Sequence, residues 1–380
     1  MKLSINKKQF IQSWAVAERS AAGANAMGVL SSVLIKADET GVFLQATDVR
    51  TSVCCEAFGV SVEEPGTAVF PVKMVSELFK KSPGDEFSVS VADGKAILKA
   101  GKSRYNFSTF PVKEFPELPS SSTAKLFCKI SAKELSKILE EGTIAASTTE
   151  DFPLYLSSAN LCIKDSVLSV VSTDTRRLAL SSTVVSPGEE EGNFLLPMKG
   201  VKEIQRILTF FTPEEEVKIL FDAAQFFFVA NGIEFTVRRV DSHFPPYERI
   251  LPKTRTTNII TDRAVLISAL ERIDIVVRDH NRMVVLAITE GESFLMKGNA
   301  PDFGQAKEEI SAKVTGEELK FGVNTKFFME ALKVLRDQEV SLSFNGNQGH
   351  LTVKRVGEDS FVCLIAPISI REEDEEEEKE

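Results

Sequence analysis

Catalysis needs a nucleophile, a general base or metal ligands at a working spacing, and this chain offers few of them. Its three histidines are His243, His280 and His350, and none stands in a metal-ligand pair or beside a nucleophile motif. No glycine-rich phosphate loop occurs. "DFPLYL" and "VDSHFPPY" set acids near aromatic residues, yet Asp241 and His243 read as polar groups of a connector. Five cysteines (Cys54, Cys55, Cys128, Cys162 and Cys363) are an odd number without paired metal spacing. The adjacent Cys54 and Cys55 would point to opposite faces of a strand. We expect packed, reduced cysteines in the cytoplasm, with no metal, no cofactor and no enzymatic activity.

Charge is the more informative chemistry. The net charge is −10, and the last ten residues, "REEDEEEEKE", hold eight acids against two bases. Taken whole, that balance argues against non-specific binding to nucleic acid. Its distribution says otherwise. Six segments with helical spacing (6–22, 72–82, 131–141, 198–211, 261–274 and 325–337) sum to +5, leaving −15 for the rest. Of their bases, those expected to face a phosphate backbone are Lys7, Lys8, Lys73, Lys80, Lys81, Lys133, Lys137, Lys199, Lys202, Arg206, Lys326, Lys333 and Arg336. If these helices line one surface, that surface can meet a phosphate backbone, reading charge rather than bases.

The elements that carry these residues recur. "LQATDVRTSVCC" (44–55) and "VVSTDTRRLALSS" (170–182) share a Thr-Asp turn between apolar runs, with Thr47 and Thr173 lying 126 positions apart. The same spacing relates Pro71 to Pro197 and then to Val323, each at a strand end before an amphipathic helix. Those helices place Val75 and Phe79, then Val201, Ile204 and Leu208, then Phe328, Leu332 and Leu335 on one face. A strand, a turn and a strand follow each, the turns being Asp93-Gly94, Asn231-Gly232 and "NGNQG" at 345–349. The proline-rich stretches 110–125 and 243–258 read as connectors. The spacing thus predicts an α+β chain of three repeats, 1–122, 123–253 and 254–370, each with two helices packed on antiparallel sheets. The acidic stretch 371–380 is expected to be a disordered, solvated appendage.

Four segments carry a resemblance across residues 1–370. "STDTRRLALS", "VDSHFPPYERILPK", "LLPMKGVKEIQRIL" and "FGVNTKFFMEALKVL" together resemble the β subunit of bacterial DNA polymerase III, the DNA sliding clamp. The resemblance implies a head-to-tail homodimer of six domains, a ring with helices lining the hole and sheets outside. Its implied partners are double-stranded DNA, held topologically and without sequence preference, and the replicative polymerase, clamp loader and repair proteins. These proteins would dock short peptide motifs into an apolar pocket between the second and third domains. Carried over residue by residue, that pocket comprises Leu156, Thr173, Arg177 and Leu178, then Pro245, Arg249 and Ile250, then Asn324 and Phe327, then Ile365, Pro367 and Ile368. Apolar walls would supply affinity and a few polar groups the peptide's register.

The chain departs from the family pattern in places. Ala366 to Ile370 stand where Met-Pro-Met-Arg-Leu is common, Thr175 and Arg176 stand for a frequent glycine and histidine, and Gly23-Ala24-Asn25 lacks a DNA-contacting arginine. No apolar run has the length to cross a bilayer, and "MKLSINKKQF" turns polar too early for a secretory signal. A repeat scaffold that binds only proteins is the alternative; it would share the pocket but give the basic helices no role.

Overall fold

The computed structural model describes residues 1–23, 28–82, 84–149, 152–301 and 303–370. The acidic segment 371–380 lies outside the described residues, as do Ala24 and Asn25. Six helices occur among the described residues: α1 (Lys7–Ser20), α2 (Val72–Lys81), α3 (Ala132–Gly142), α4 (Met198–Leu208), α5 (Arg263–Val277) and α6 (Thr325–Val334). Side-chain caps fix four of the starts, Ser131 Oγ accepting from the Glu134 amide at 3.2 Å before α3. Asn6 accepts from the Gln9 amide at 3.4 Å, Asp262 from Ala264 and Val265 at 2.8 and 2.9 Å, and Asn324 from Phe327 at 3.2 Å.

Two helices end sooner than their sequence pattern suggests. Past Leu208 the chain tightens, with the Phe210 and Phe211 amides reaching back three residues at 3.0 and 3.2 Å. After Val334, Leu335 turns extended (φ −72°, ψ 150°) and is fully buried. Arg336, expected on the helix, therefore lies beyond its end.

One compact unit holds residues 1–136, 185–191 and 199–239. Its nine-stranded antiparallel sheet contains Thr51–Glu56 from the first repeat directly beside Ile233–Arg238 from the second. Val53 faces Phe235 across that seam, both buried. A five-stranded sheet runs from Val60–Glu64 at one edge through Lys2–Asn6, Glu86–Ala92 and Lys95–Ala100 to Ser103–Ser108 at the other. α1 and α2 meet through rings, with Phe10 and Trp14 lying 5.3 and 5.9 Å from Phe79. The Trp14 indole, nearly inaccessible, donates to Ser76 Oγ at 2.8 Å, so its polar end is satisfied.

The second compact unit holds residues 137–184, 192–198 and 240 onward. Its twelve-stranded sheet joins the second and third repeats where Arg177–Val184 pairs with Phe361–Ile365. Leu266, Leu270, Ile273 and Val277 of α5 and Phe328 and Leu332 of α6 form one core with Val284, Leu286, Phe321 and Leu342. Each such side chain contributes roughly 1.5–3 kcal/mol on burial. Both seams are ladders of backbone hydrogen bonds, so the compact units follow the sheets. The hairpins at Asp93-Gly94 (φ 51° and 71°) and Asn231-Gly232 (φ 45° and 72°) have both residues left-handed, as two-residue loops require.

Candidate functional site

The turn at 173–177 is built by its own side chains. Thr173 Oγ1 donates to the Arg177 carbonyl at 2.7 Å, and Asp174 Oδ1 accepts from the Arg176 and Arg177 amides at 3.0 Å each. This forces Thr175 to φ 75°. The frame aims Arg177 inward, where the residue is only 8% exposed. Its Nε lies 3.0 Å from Asp174 Oδ2, its Nη1 pairs with Glu330 of α6, and its guanidinium sits 4.2 Å over the Phe327 ring. Glu330 is the member that sequence reasoning missed. It stands one helical turn from Lys326, a spacing that reads as an ordinary surface pair.

Around this centre the predicted docking residues gather within the second unit. Leu178 is buried with Val171, Tyr247 and Leu364. Tyr247 opens the short 3-10 turn Tyr247–Arg249 of the connector and keeps its ring buried; burial pushes its hydroxyl up to about 12, so it stays protonated. Phe244 on the same connector meets Tyr155 at 5.8 Å, beside the half-buried Leu156. Pro245 and Arg249 are exposed, and Ile250 shows 47% of its surface. Asn324 caps the helix that carries Phe327.

The Ile368 amide donates to the Gly322 carbonyl at 2.8 Å. A Cβ at Gly322 would lie 2.5 Å from the Ile368 carbonyl oxygen, so the glycine is what allows residues 366–370 to cross this strand. Pro367 and Ile368 are half-buried there. Ile365 behaves differently: it is fully buried in the core of the third repeat and supports the surface from beneath.

The basic helix residues are mostly exposed and mostly paired. Lys8 meets Asp85 at 2.8 Å, Lys81 Glu77 at 2.7 Å, Lys333 Glu271 at 2.6 Å and Arg336 Glu140 at 3.2 Å. Lys80 and Lys326 lie farther from Glu18 and Glu330, at 3.7 and 3.9 Å, while Lys199 pairs with Asp48 and Arg206 with Glu203. Lys7 donates to the Ser82 carbonyl at 3.0 Å. Lys73 is exposed and Lys137 half-buried. Lys133 and Lys202 are exposed and have no ion pair among the described residues. Exposed pairs of this kind are worth roughly 0–1 kcal/mol, so their cations exchange partners cheaply. Hydrogen bonds that Lys8 and Lys81 donate to Asp85 and Glu77 raise both lysines above the ordinary lysine value, which keeps them charged.

The three buried cysteine thiols are poor nucleophiles. Burial pushes Cys128 and Cys363 up to about 12 and raises Cys55 as well. Among the described residues no group of three or more His, Cys, Asp or Glu could hold a metal ion, and no helix is long and apolar enough to cross a membrane.

Three repeats of paired helices on antiparallel sheets, with sheets running on from repeat to repeat, define a DNA-clamp fold. The chain belongs to the bacterial DNA polymerase III β subunit family, the sliding clamps of DNA replication. Family models of its N-terminal, central and C-terminal domains match residues 1–119, 129–246 and 248–369. A β sliding clamp of Pseudomonas putida is 29% identical over 345 residues, covering 90% of this chain and 92% of that protein. One from Staphylococcus epidermidis is 27% identical over 377 residues, covering 97% and 99%. Among solved structures, the DNA polymerase sliding clamp of Bacillus subtilis superposes with a TM-score of 0.91 at 26% identity, covering 98% of this chain and all of that one. The DNA polymerase III β subunit of Thermotoga maritima superposes with a TM-score of 0.89 at 23% identity, covering 97% and 100%, a likeness of fold.

Proposed function

We propose that two copies of this chain close head to tail into a six-domain ring around duplex DNA and hold the replicative polymerase there. The observation that carries the ring is a pair of unfilled strand edges. Between the first and second repeats the seam is Thr51–Glu56 against Ile233–Arg238; between the second and third it is Arg177–Val184 against Phe361–Ile365. A third seam of this kind needs Ser103–Ser108 and the start of Gly304–Gly316. Among the described residues, Ser103–Ser108 pairs only with Lys95–Ala100, and residues 304–309 pair only with Gly291–Ala300. One chain therefore carries both halves of a missing junction, and a second copy supplies the complement of each. Phe303, in the turn that leads into Gly304–Gly316, is 69% exposed, an apolar side chain for a second copy to cover.

Each chain then contributes the domains 1–122, 123–253 and 254–370, a partition supported by the extents of the three family matches. The weakly paired lysines and arginines of the helices suit a lining that must attract phosphates without gripping them. The surface around Arg177, Phe327, Ile250 and Ile368 suits an extended peptide from the polymerase, clamp loader or repair proteins. The chain acts by tethering, performs no catalysis and works in the cytoplasm. Sedimentation is expected to give a dimer for the purified chain and monomers for Phe303→Asp. The dimer, once loaded on nicked circular DNA, should stay bound and leave on linearisation. A stable wild-type monomer, or release that ignores topology, overturns the reading.

A further inference from the structure

We propose that the connector at residues 241–255 is a hinged strap that lifts off the sheet beneath it, taking Arg249 and Ile250 away from the docking surface. Two backbone bonds mark the hinges: the Val240 amide donates to the Leu195 carbonyl at 3.0 Å, and the Thr256 amide to the Phe344 carbonyl at 2.9 Å. Among the described residues, the backbone between them bonds to nothing beyond Val240. Ser242 reaches back to Val240 at 3.0 Å, Arg249 to Pro246 at 3.3 Å and Ile250 to Tyr247 at 3.0 Å. Pro245, Pro246 and Pro252 remove further donors and stiffen the segment, so it moves as one piece. Apolar contact holds it down: Phe244, Tyr247 and Leu251 pack with Val171, Leu178 and Leu364. One ion pair assists, Arg255 to Asp359 at 3.8 Å.

The sheet under the strap carries a reason for it to open. Asn160 stands directly across from Val171, Val171 from Leu180, and Leu180 from Val362. Residues opposite one another share a face, and Val171, Leu180 and Val362 belong to the cluster that includes Phe244, Tyr247 and Leu251. Asn160 therefore lies on the covered face. It has no accessible surface, and neither its Nδ2 nor its Oδ1 has a hydrogen-bond partner among the described residues. An amide buried in this way is desolvated without compensation, and a lifted strap lets water reach it. Rings and a leucine hold the strap closed, and one stranded amide works against them.

The consequence for docking rests on the reading proposed above, but the motion does not, so the test uses the full chain without a partner. Trypsin needs several residues in an extended form, which the seated strap cannot give while Tyr247 and Leu251 are held. Native-state cleavage after the exposed Arg249 and Lys253 therefore follows the open population. Asn160→Leu, an apolar side chain of similar size, removes the stranded amide. Cleavage at both positions should fall about tenfold relative to cleavage after Lys102, an exposed residue in the turn before Ser103–Ser108. Phe244→Ala loosens the strap and should raise the same ratio about three- to tenfold. Where Asn160→Leu fails to fold, Asn160→Val, which suits a strand, is read in the same way. A ratio that ignores the Asn160 variants overturns the inference, and so does equal slowing after Lys102, which would report unfolding of the whole chain. A strap that lifts as expected while Ile250→Asp leaves polymerase binding intact overturns the docking reading and keeps the motion.

Discussion

The turns at 47–51 and 173–177 share a backbone frame to within a few tenths of an ångström in their hydrogen bonds, and they use it differently. At 51 the frame ends in a threonine whose Oγ1 donates to Asp48 Oδ1 at 2.9 Å, and Asp48 takes its cation from the exposed Lys199. At 177 it ends in an arginine that spans Asp174, Glu330 and Phe327. One turn keeps a small cavity at its side, while the other anchors a helix of the third repeat. Duplication thus conserved the turn's scaffold chemistry and left its last side chain free to choose between an opening and a clasp.

Arg177→Ala breaks the contrast most severely. It strands Asp174 and Glu330 and uncovers Phe327, and it should cost about 3 kcal/mol in denaturant titrations. Thr51→Ala loses one hydroxyl bond and should cost about 1 kcal/mol. Equal losses would mean that the clasp adds nothing. Thr47→Val and Thr173→Val sharpen the shared part: each removes the same pair of turn hydrogen bonds and should cost about 1 kcal/mol alike. Val49→Gly and Thr175→Gly relieve a left-handed β-branched residue. They should gain roughly 0.5 kcal/mol each, since strain relief slightly exceeds the entropy a glycine adds to the unfolded chain.

The smallest effect concerns acid. Burial of Asp48 works to raise its carboxyl, but the hydrogen bonds from Lys199 and Thr51 outweigh it and hold the value below normal. A depressed folded-state value favours the fold above the unfolded value of about 3.9, and that contribution disappears as pH falls through the folded value. Melting temperatures of Asp48→Asn should therefore sit below those of the parent at neutral pH and converge with them below about pH 4.

Much of this was legible in the sequence because it is local. The Asp-Gly and Asn-Gly turns, the helix stripes and the Thr-Asp frame each depend on residues a few positions apart. What escaped is non-local. Arg177 and Glu330 are 153 residues apart, and nothing near either names the other. The seam between Thr51–Glu56 and Ile233–Arg238 was equally hidden, because an alternating strand fits many partners and its pattern does not say which. Counting charge helix by helix also overlooked Asp48 and Asp85, acids outside the helices that pair with the bases, and did not show that Glu140 of one helix pairs with Arg336 beyond the end of another. Arg336 fell off its helix because a buried leucine ended the helix first.

Sheets that cross from one repeat into the next also decide how the chain can be dissected. Cutting at the connector near residue 122 would strip Ile233–Arg238 from Thr51–Glu56, and cutting near 253 would strip Phe361–Ile365 from Arg177–Val184. Each fragment would carry a bare hydrogen-bonding edge of the kind that recruits other strands and precipitates. Gene segments encoding single repeats should accordingly yield aggregates, and this lineage could not have shed or added one copy at a time without re-dressing the exposed edges.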